Sequence, residues 1–285
     1  ARAWPTSKAL TTYSSSWCNA PDLQDAYAQR PRPVTGHTGW WQDFFSGLAL
    51  DFVRHSRDAE DTLAEADFIQ EALGLPLEAR LLDVPCGGGR LTLEMAARGY
   101  RVTGVDISPD LIKDAESQIE VGRSPVTFEQ REMRDLPWPG EFDGAFCFWS
   151  SFGYFDDAGN LEFLKAVADS LKPGAPFLLD TPLIETRLPE MESQERIWWP
   201  VGDLLALEER GFDHVTSRVE SEWTFIQGNQ IERKSLSLRL YTYRELCAML
   251  EEAGFGNHQA YGSLDWEPFE LGSTWLYMVT TKLEA

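Results

Sequence analysis

Residues Leu81 to Ser108 read LLDVPCGGGRLTLEMAARGYRVTGVDIS. An apolar strand, Arg80 to Val84, runs into three successive glycines, Gly87, Gly88 and Gly89. A helical run from Arg90 to Ala97 follows, with Gly99 as its stop, and a second strand, Arg101 to Asp106, closes on an acidic residue. The glycines let the backbone pass close to a ligand where a Cβ would clash. The helix behind them points unsatisfied N–H groups at the same place. Strand, glycine loop, helix and strand in this order open an α/β domain.

Outward from this unit the alternation continues. Ser108 caps a helix with Pro109 in its first turn. Val126 to Gln130 and Phe142 to Phe148 read as strands, Asn160 to Leu171 as a helix ended by Pro173-Gly174, and Ala175 to Asp180 as a fifth strand. Strands separated by helices predict a doubly wound parallel sheet. Between Thr181 and Tyr241 the rhythm breaks. Asp203 to Glu209, Val215 to Ile226 and Ile231 to Leu240 read as strands with no helices between them, and Gly228-Asn229 marks a turn. One face of the second strand carries Val215, Val219, Trp223 and Phe225. A small antiparallel sheet inserted into the parallel domain is the expectation. Thr242 to Ala253 resumes the helical pattern behind a Thr242/Glu245 capping box, and Asn257 to Tyr261 and Ser273 to Thr280 close the sheet. On the amino-terminal side, Trp40 to Arg57 has apolar residues at helical spacing (Trp41, Phe44, Phe45, Leu48, Phe52). Thr62 and Glu65 match a capping box before the stripe Leu63, Ala66, Ile69, Ala72, Leu73, which Gly74 and Pro76 stop. The division is an arm over 1–39 with a short helix near Asp22 to Gln29, a core over 40–180 and 241–285, and an inserted lid over 181–240.

The chain of 285 residues is 43% hydrophobic and 25% charged, ordinary for a globular protein. Its formal charge of −21 repels phosphate backbones, so nucleic acid and anionic membranes are poor partners. No apolar stretch approaches the ~20 residues of a membrane helix. Cys18, Cys86, Cys147 and Cys247 are far apart, with neither metal-ligand nor redox spacing, and His37, His55, His214 and His258 make no metal site. The expectation is a cytoplasmic protein with reduced thiols and no metal.

The acidic residue Asp106 lies 19 positions beyond Gly87, where a carboxylate can accept both hydroxyls of an adenosine ribose. The ligand is then a dinucleotide or S-adenosylmethionine. A dinucleotide loop reads G-x-G-x-x-G with pyrophosphate at the helix. Here Asp83 precedes the loop, in Asp83-Val84-Pro85-Cys86-Gly87-Gly88-Gly89. A carboxylate repels pyrophosphate and attracts an ammonium and a sulfonium. S-adenosylmethionine is therefore preferred.

With LLDVPCGGGR, VTGVDIS, REMRDLPW, FDGAFCFWSSFGYF, LKPGAPFLLD and RLYTYRELCAMLEEAGF, the chain resembles the class I S-adenosylmethionine-dependent methyltransferases from roughly Trp40 to Thr280. Pro85 stands where the first loop glycine of that family is usual. The resemblance implies a seven-stranded Rossmann-like sheet of order 3-2-1-4-5-7-6 with the last strand antiparallel. It also implies that Pro85, Cys86 and Gly87 line the methionine and ribose, with Asp83 before them, and that Asp106 holds the ribose hydroxyls. Ile107 would cover one adenine face, Glu132 and the Met133 backbone would meet the adenine edge, and the Phe148 carbonyl would meet the amino group. Arg90 reads as exposed in the first turn of its helix.

Methyl transfer from a sulfonium is an in-line displacement, and the protein mainly aligns the reactants and excludes water. The run CFWSSFGYF lacks the Asn/Asp-Pro-Pro-aromatic signature of amino-group methylation on bases or glutamine, so a small-molecule acceptor (O, N or C) is expected. Ser151 and Tyr154 sit where donor and acceptor meet, and Tyr154 is the catalytic candidate. In the insert, Trp198 and Trp199 can stack on a substrate, and Arg187 and Arg239 can hold a carboxylate. Sheet edges of the insert give a route to a homodimer. Two other readings remain at this point: a non-catalytic module that binds the ligand as sensor or scaffold, and a nicotinamide-dependent oxidoreductase, which the glycine spacing disfavours.

Overall fold

The computed structural model describes residues 39–119, 125–193 and 196–284. The helix expected over Asp22 to Gln29, together with Cys18 and His37, lies outside these residues. The strands are β1 (Arg80–Asp83), β2 (Arg101–Asp106), β3 (Val126–Gln130), β4 (Gly144–Cys147), β5 (Pro176–Thr181), β6 (Arg196–Val201), β7 (Leu204–Asp213), β8 (Arg218–Gln227), β9 (Gln230–Arg239), β10 (Phe255–Tyr261) and β11 (Leu276–Lys282). The helices are α1 (Gly47–His55), α2 (Ala59–Leu73), α3 (Arg90–Ala97), α4 (Pro109–Ser117), α5 (Asp157–Ser170), α6 (Ile184–Ser193) and α7 (Tyr243–Glu252). Seven strands form one sheet in the order β3-β2-β1-β4-β5-β11-β10, and β11 runs antiparallel to both of its neighbours. This is the order that the family resemblance implies.

Successive residues of a strand point to opposite faces, and here both faces are covered. Leu82, Phe177 and Leu179 pack with Phe163 and Leu164 of α5 and Leu246 and Leu250 of α7. Leu81, Phe146 and Leu178 pack with Phe68 and Ile69 of α2 and Met95 of α3. Burial on both sides explains why the strands read as continuous apolar runs rather than alternating ones. Each such fully buried Leu or Phe contributes about 1.5–3 kcal/mol.

β6 to β9 form a separate antiparallel sheet in chain order. It has one strand more than the sequence reading gave, and α6 precedes it. Both were obscured by proline. Pro189 lies inside α6, where a proline ordinarily reads as a break. Pro200 lies in β6, which is tolerated because β6 is an edge strand. Val215, expected on the buried face of β8, is 80% exposed in the preceding turn.

The amino-terminal helices also differ from expectation. Trp40–Gln42 is a single 3-10 turn, and α1 begins only at Gly47. α2 starts one turn before Thr62, because Asp58 and Asp61 form the capping box. Glu65 is consequently mid-helix and buried, Leu63 is exposed, and Phe68 takes the inward place.

The insert docks on this amino-terminal segment. Leu204, Ala206 and Phe225 share a core with Trp40, Phe44 and Leu48. The Trp40 indole donates to the Ser237 carbonyl at 2.9 Å. The Ser46 side chain does not cap α1; instead the Glu232 carboxylate from β9 accepts from the Leu48 N–H at 2.7 Å. Gly47 has φ +57°, the left-handed region that favours glycine, and a Cβ there would crowd the tip of the Glu232 side chain. Arg54, at the other end of α1, is bidentate to Asp114 of α4 at 2.7 and 3.1 Å. The segment from Trp40 to His55 thus joins the inserted sheet to the helix that follows Asp106.

Candidate functional site

The carboxyl ends of β1, β2, β4 and β5 carry the site. The Cys86 N–H donates to the Val105 carbonyl at 2.8 Å, which lays the glycine loop across the end of β2. Asp106 fastens that loop. Its Oδ2 accepts from the Gly87 N–H at 2.9 Å and its Oδ1 from the Ser108 N–H at 2.8 Å. Each oxygen keeps a second acceptor site. Burial holds the Asp106 carboxyl above its usual value. Gly87 has φ +55°, and a Cβ there would meet nothing within 4 Å, so the loop is open at this point. Gly89 has φ +77° and is closed, since a Cβ would stand 2.6 Å from the Phe128 ring. One glycine therefore serves close approach and the other serves helix packing.

Asp83 ends β1 and is 2% exposed. The Thr92 hydroxyl donates to it at 2.5 Å. Burial pushes its carboxyl up to about 7, partly offset by Thr92 and Arg90. A buried carboxyl in such a place either keeps its proton or is paired with a cation. Arg90 is not simply exposed. It pairs with the buried Glu65 at 2.5 Å and donates to the Thr62 hydroxyl at 3.2 Å. Pro85, Cys86 and Ile107 are half-buried around the loop.

After β3, Glu132 holds Arg134, accepting from its Nε at 2.7 Å and its N–H at 3.3 Å, and the Arg134 guanidinium lies 3.9 Å over the Phe155 ring. Met133 is buried in the core. Phe148 is buried after β4, next to Tyr277. The two following residues, Trp149 (φ +75°) and Ser150 (φ +60°), are left-handed without being glycine. Each costs roughly 1–2 kcal/mol and persists only where its surroundings impose it. The Ser150 N–H donates to Asp180 of β5 at 2.9 Å. Arg57 lies 5.0 Å over the Trp149 ring.

On the far side of that turn, Ser151 is buried and Tyr154 is half-buried, with its ring 4.6 Å from Trp40. Burial raises the Tyr154 phenol well above its ordinary value, with a hydrogen bond to Ser151 opposing it. At neutral pH the phenol keeps its proton and acts as a donor. Trp199 faces inward and packs against the cluster of Trp40, Phe44, Leu204 and Phe225, and Tyr154 packs there too. Trp198, one residue away, points to the other face and is 49% exposed. Arg187 pairs with Glu190 at 2.7 Å and lies 5.5 Å over the Trp275 ring. Arg239 is engaged by Asp157 at 2.9 Å, by the Leu240 carbonyl and by the Tyr241 ring, and its N–H donates to the Gly153 carbonyl at 2.8 Å. It fastens β9 to the loop after β4.

The structure thus gathers Asp83, Pro85, Cys86, Gly87, Asp106, Ile107 and Phe148 along one sheet edge, with Ser151 and Tyr154 beyond them. Trp198 is turned away, and Glu132 and Arg239 already hold partners of their own. The sequence places Ser150 at this junction but does not show the left-handed Trp149–Ser150 turn, the bonds of Asp180 or the packing of Trp40 on Tyr154. Asp180 had a readable signal, because it sits at the carboxyl end of an apolar strand just as Asp83 and Asp106 do. Among the described residues, no group of three or more His, Cys, Asp or Glu side chains is placed to hold a metal ion, and no helix is long and apolar enough to cross a membrane.

Residues 81–174 match a family model described as a methyltransferase domain. The ubiquinone biosynthesis O-methyltransferase of Xanthomonas campestris pv. campestris (strain B100) is 35% identical over 117 residues, 40% of this chain and 47% of that protein. The chain spans less than half the length of the curated relatives it matches. In structure it is similar to the CcbJ methyltransferase from Streptomyces caelestis, with a TM-score of 0.72 at 15% identity over 85% of this chain and 99% of that one. It is also similar to S-adenosylmethionine-bound CalS10, an amino pentose methyltransferase from Micromonospora echinaspora, with a TM-score of 0.60 at 20% identity over 84% and 98%. At these identities the two structures show a shared fold.

Proposed function

We propose that this chain, whose residues 81–174 match a methyltransferase-domain family model, is a class I S-adenosylmethionine-dependent enzyme that methylates a small-molecule acceptor at O, N or C by in-line displacement. The observation that carries the reading is Asp83, a buried carboxylate directly before an open glycine loop and suited to a cationic ligand. S-adenosylmethionine, when bound, supplies an electrophilic methyl group on a sulfonium. In this reading Asp83, Pro85, Cys86 and Gly87 line its amino-acid and ribose portion, and the spare acceptor sites of Asp106 take the ribose hydroxyls. Ile107, Glu132 and Met133 surround the adenine, and the Phe148 carbonyl accepts from the ammonium.

The chain's own part in the chemistry is alignment and exclusion of water. Ser151 and Tyr154 orient the acceptor, Tyr154 as a hydrogen-bond donor. Trp199 and Arg187 of the insert bound the acceptor side. Three free thiols, Cys86, Cys147 and Cys247, support a reducing, cytoplasmic setting. The charge of −21 supports a small acceptor over nucleic acid. The edge strand β6 of the inserted sheet supports pairing into a homodimer, which sedimentation would reveal.

Calorimetry with S-adenosylmethionine and S-adenosylhomocysteine tests the donor site, and folded protein that binds neither overturns the reading. A screen of small phenols, amines and amino sugars, read by a product mass one methyl heavier, then identifies the acceptor.

A further inference from the structure

Asp180 has no part in the reading above, yet it is 2% exposed at the carboxyl end of β5, beside the junction of donor and acceptor. Both of its oxygens face donors. Oδ1 accepts from the Ser150 N–H at 2.9 Å, and Oδ2 accepts from the Trp275 indole at 3.1 Å. Trp275 immediately precedes β11, whose Tyr277 is the register partner of Asp180. The Ser150 bond reaches into a turn where two successive non-glycine residues are left-handed. Such a turn relaxes unless something holds it, and the Asp180 carboxylate is the buried acceptor on its N–H. The turn stands between Phe148 and Ser151, the two residues on which the donor and acceptor sides depend.

We propose that Asp180 is a positioning residue, holding the Trp149–Ser150 turn and through it fixing the Phe148 carbonyl and Ser151. The proposal rests on the donor site described above. A carboxylate is required because acceptors at both oxygens serve donors on two sides, the backbone of the Trp149–Ser150 turn and the Trp275 indole. An amide in its place must set its own NH2 against one of them.

The test is calorimetric affinity for S-adenosylhomocysteine, with thermal melting alongside, in the wild type, Asp180→Asn, Trp275→Phe and the double variant. Asp180→Asn is expected to weaken binding about tenfold or more. Trp275→Phe, which leaves the Ser150 bond intact, stays within about threefold. The double variant recovers most of the affinity, because the amide oxygen then turns to Ser150 and its NH2 no longer faces a donor. Folded Asp180→Asn with affinity within about twofold of the wild type would mean that Asp180 only ties β11 to β4, whatever happens to the melting temperature, and would overturn the proposal. A weakened single variant with no recovery in the double variant overturns it too, because the loss then belongs to the missing charge. Should Asp180→Asn fail to fold, the double variant decides: near-wild-type binding supports the proposal and a tenfold loss sinks it. A wild type that binds nothing removes the donor reading and this proposal with it, whereas wild-type binding with an unaffected Asp180→Asn removes this proposal alone.

Discussion

Asp106 does two things at once, and its replacement should show both. Its carboxylate holds the Gly87 and Ser108 N–H groups and, in the proposed reading, has lone pairs left for the ribose. Asp106→Ala is expected to weaken donor binding by one to two orders of magnitude, each charge-assisted bond to the ligand being worth ~1.5–3 kcal/mol. It should also lower the stability of the ligand-free protein, since two buried N–H groups lose their acceptor, and unchanged affinity by calorimetry would remove Asp106 from the site. Asp83 makes a different prediction. An unfolded Asp ionises near 3.8 and the folded one near 7. Between these values the folded state carries the extra proton, so this group's stabilisation is complete below the lower value and is lost as pH rises to about 7. Asp83→Asn keeps an acceptor for Thr92 and has no proton to lose. Ligand-free wild type should therefore lose stability relative to the variant from about pH 5 to about pH 7, by at most about 1.4 kcal/mol per pH unit. Urea unfolding of both proteins across that range checks this, and a gap that does not change with pH would place the Asp83 carboxyl back at its ordinary value. Both carboxylates were legible in the sequence because each ends a strand beside a glycine loop of fixed spacing. What Asp180 holds was not legible, because its partners come from residues 30 and 95 positions away.

Among the elements, most whose signals are local appear where the sequence places them, the start of α2 excepted, whereas several that depend on a distant partner do not. The helix after Gly89, the Ser108 cap and the Thr242/Glu245 box are set by neighbouring residues and appear where the sequence places them. The start of α1 is not local. The apolar spacing predicts a helix from Trp40, but Trp40–Gln42 closes as a separate 3-10 turn, and the helix begins where Glu232 of the insert caps it. α6 and β6 were hidden because proline is read as a local break, whereas the tertiary setting tolerates it within one helix and at one sheet edge. The borrowed cap yields a prediction. Glu232→Ala removes the acceptor from the Leu48 N–H and should destabilise the protein by about 0.5–2 kcal/mol, as loss of an ordinary N-cap does. Protease cleavage between Trp40 and His55 should rise in the same variant. No change in either would mean that the aromatic contacts alone hold α1 to the insert.

Across the whole molecule, the inserted sheet contacts two segments far apart in the chain, the Trp40–Leu48 stretch and the loop after β4. Its inner face rests on Trp40, Phe44 and Leu48, and α1 in turn grips α4 through Arg54 and Asp114. At its other end, β9 is bonded to the loop after β4 by the Arg239 N–H, and Arg218 donates to the Tyr154 and Phe155 carbonyls at 3.1 and 2.9 Å. Among the described residues the inserted sheet is thus bonded directly to the Gly153–Phe155 loop and reaches α4, the helix after Asp106, through α1. Trp198 and Trp199 provide an internal control, because adjacent residues of β6 face opposite ways: Trp199 toward the cluster that includes Tyr154, Trp198 toward the outer face. With an acceptor in hand, Trp199→Leu should raise the acceptor KM severalfold to about tenfold, the loss expected of one aromatic contact. Affinity for S-adenosylhomocysteine should stay near that of the wild type. Trp198→Leu should leave both constants unchanged. If Trp199→Leu in folded protein weakened donor binding as strongly as it raised the acceptor KM, the insert would belong to the donor pocket. If Trp198→Leu alone altered the acceptor KM, the outer face of the sheet, and not the inner one, would be the surface that meets the substrate.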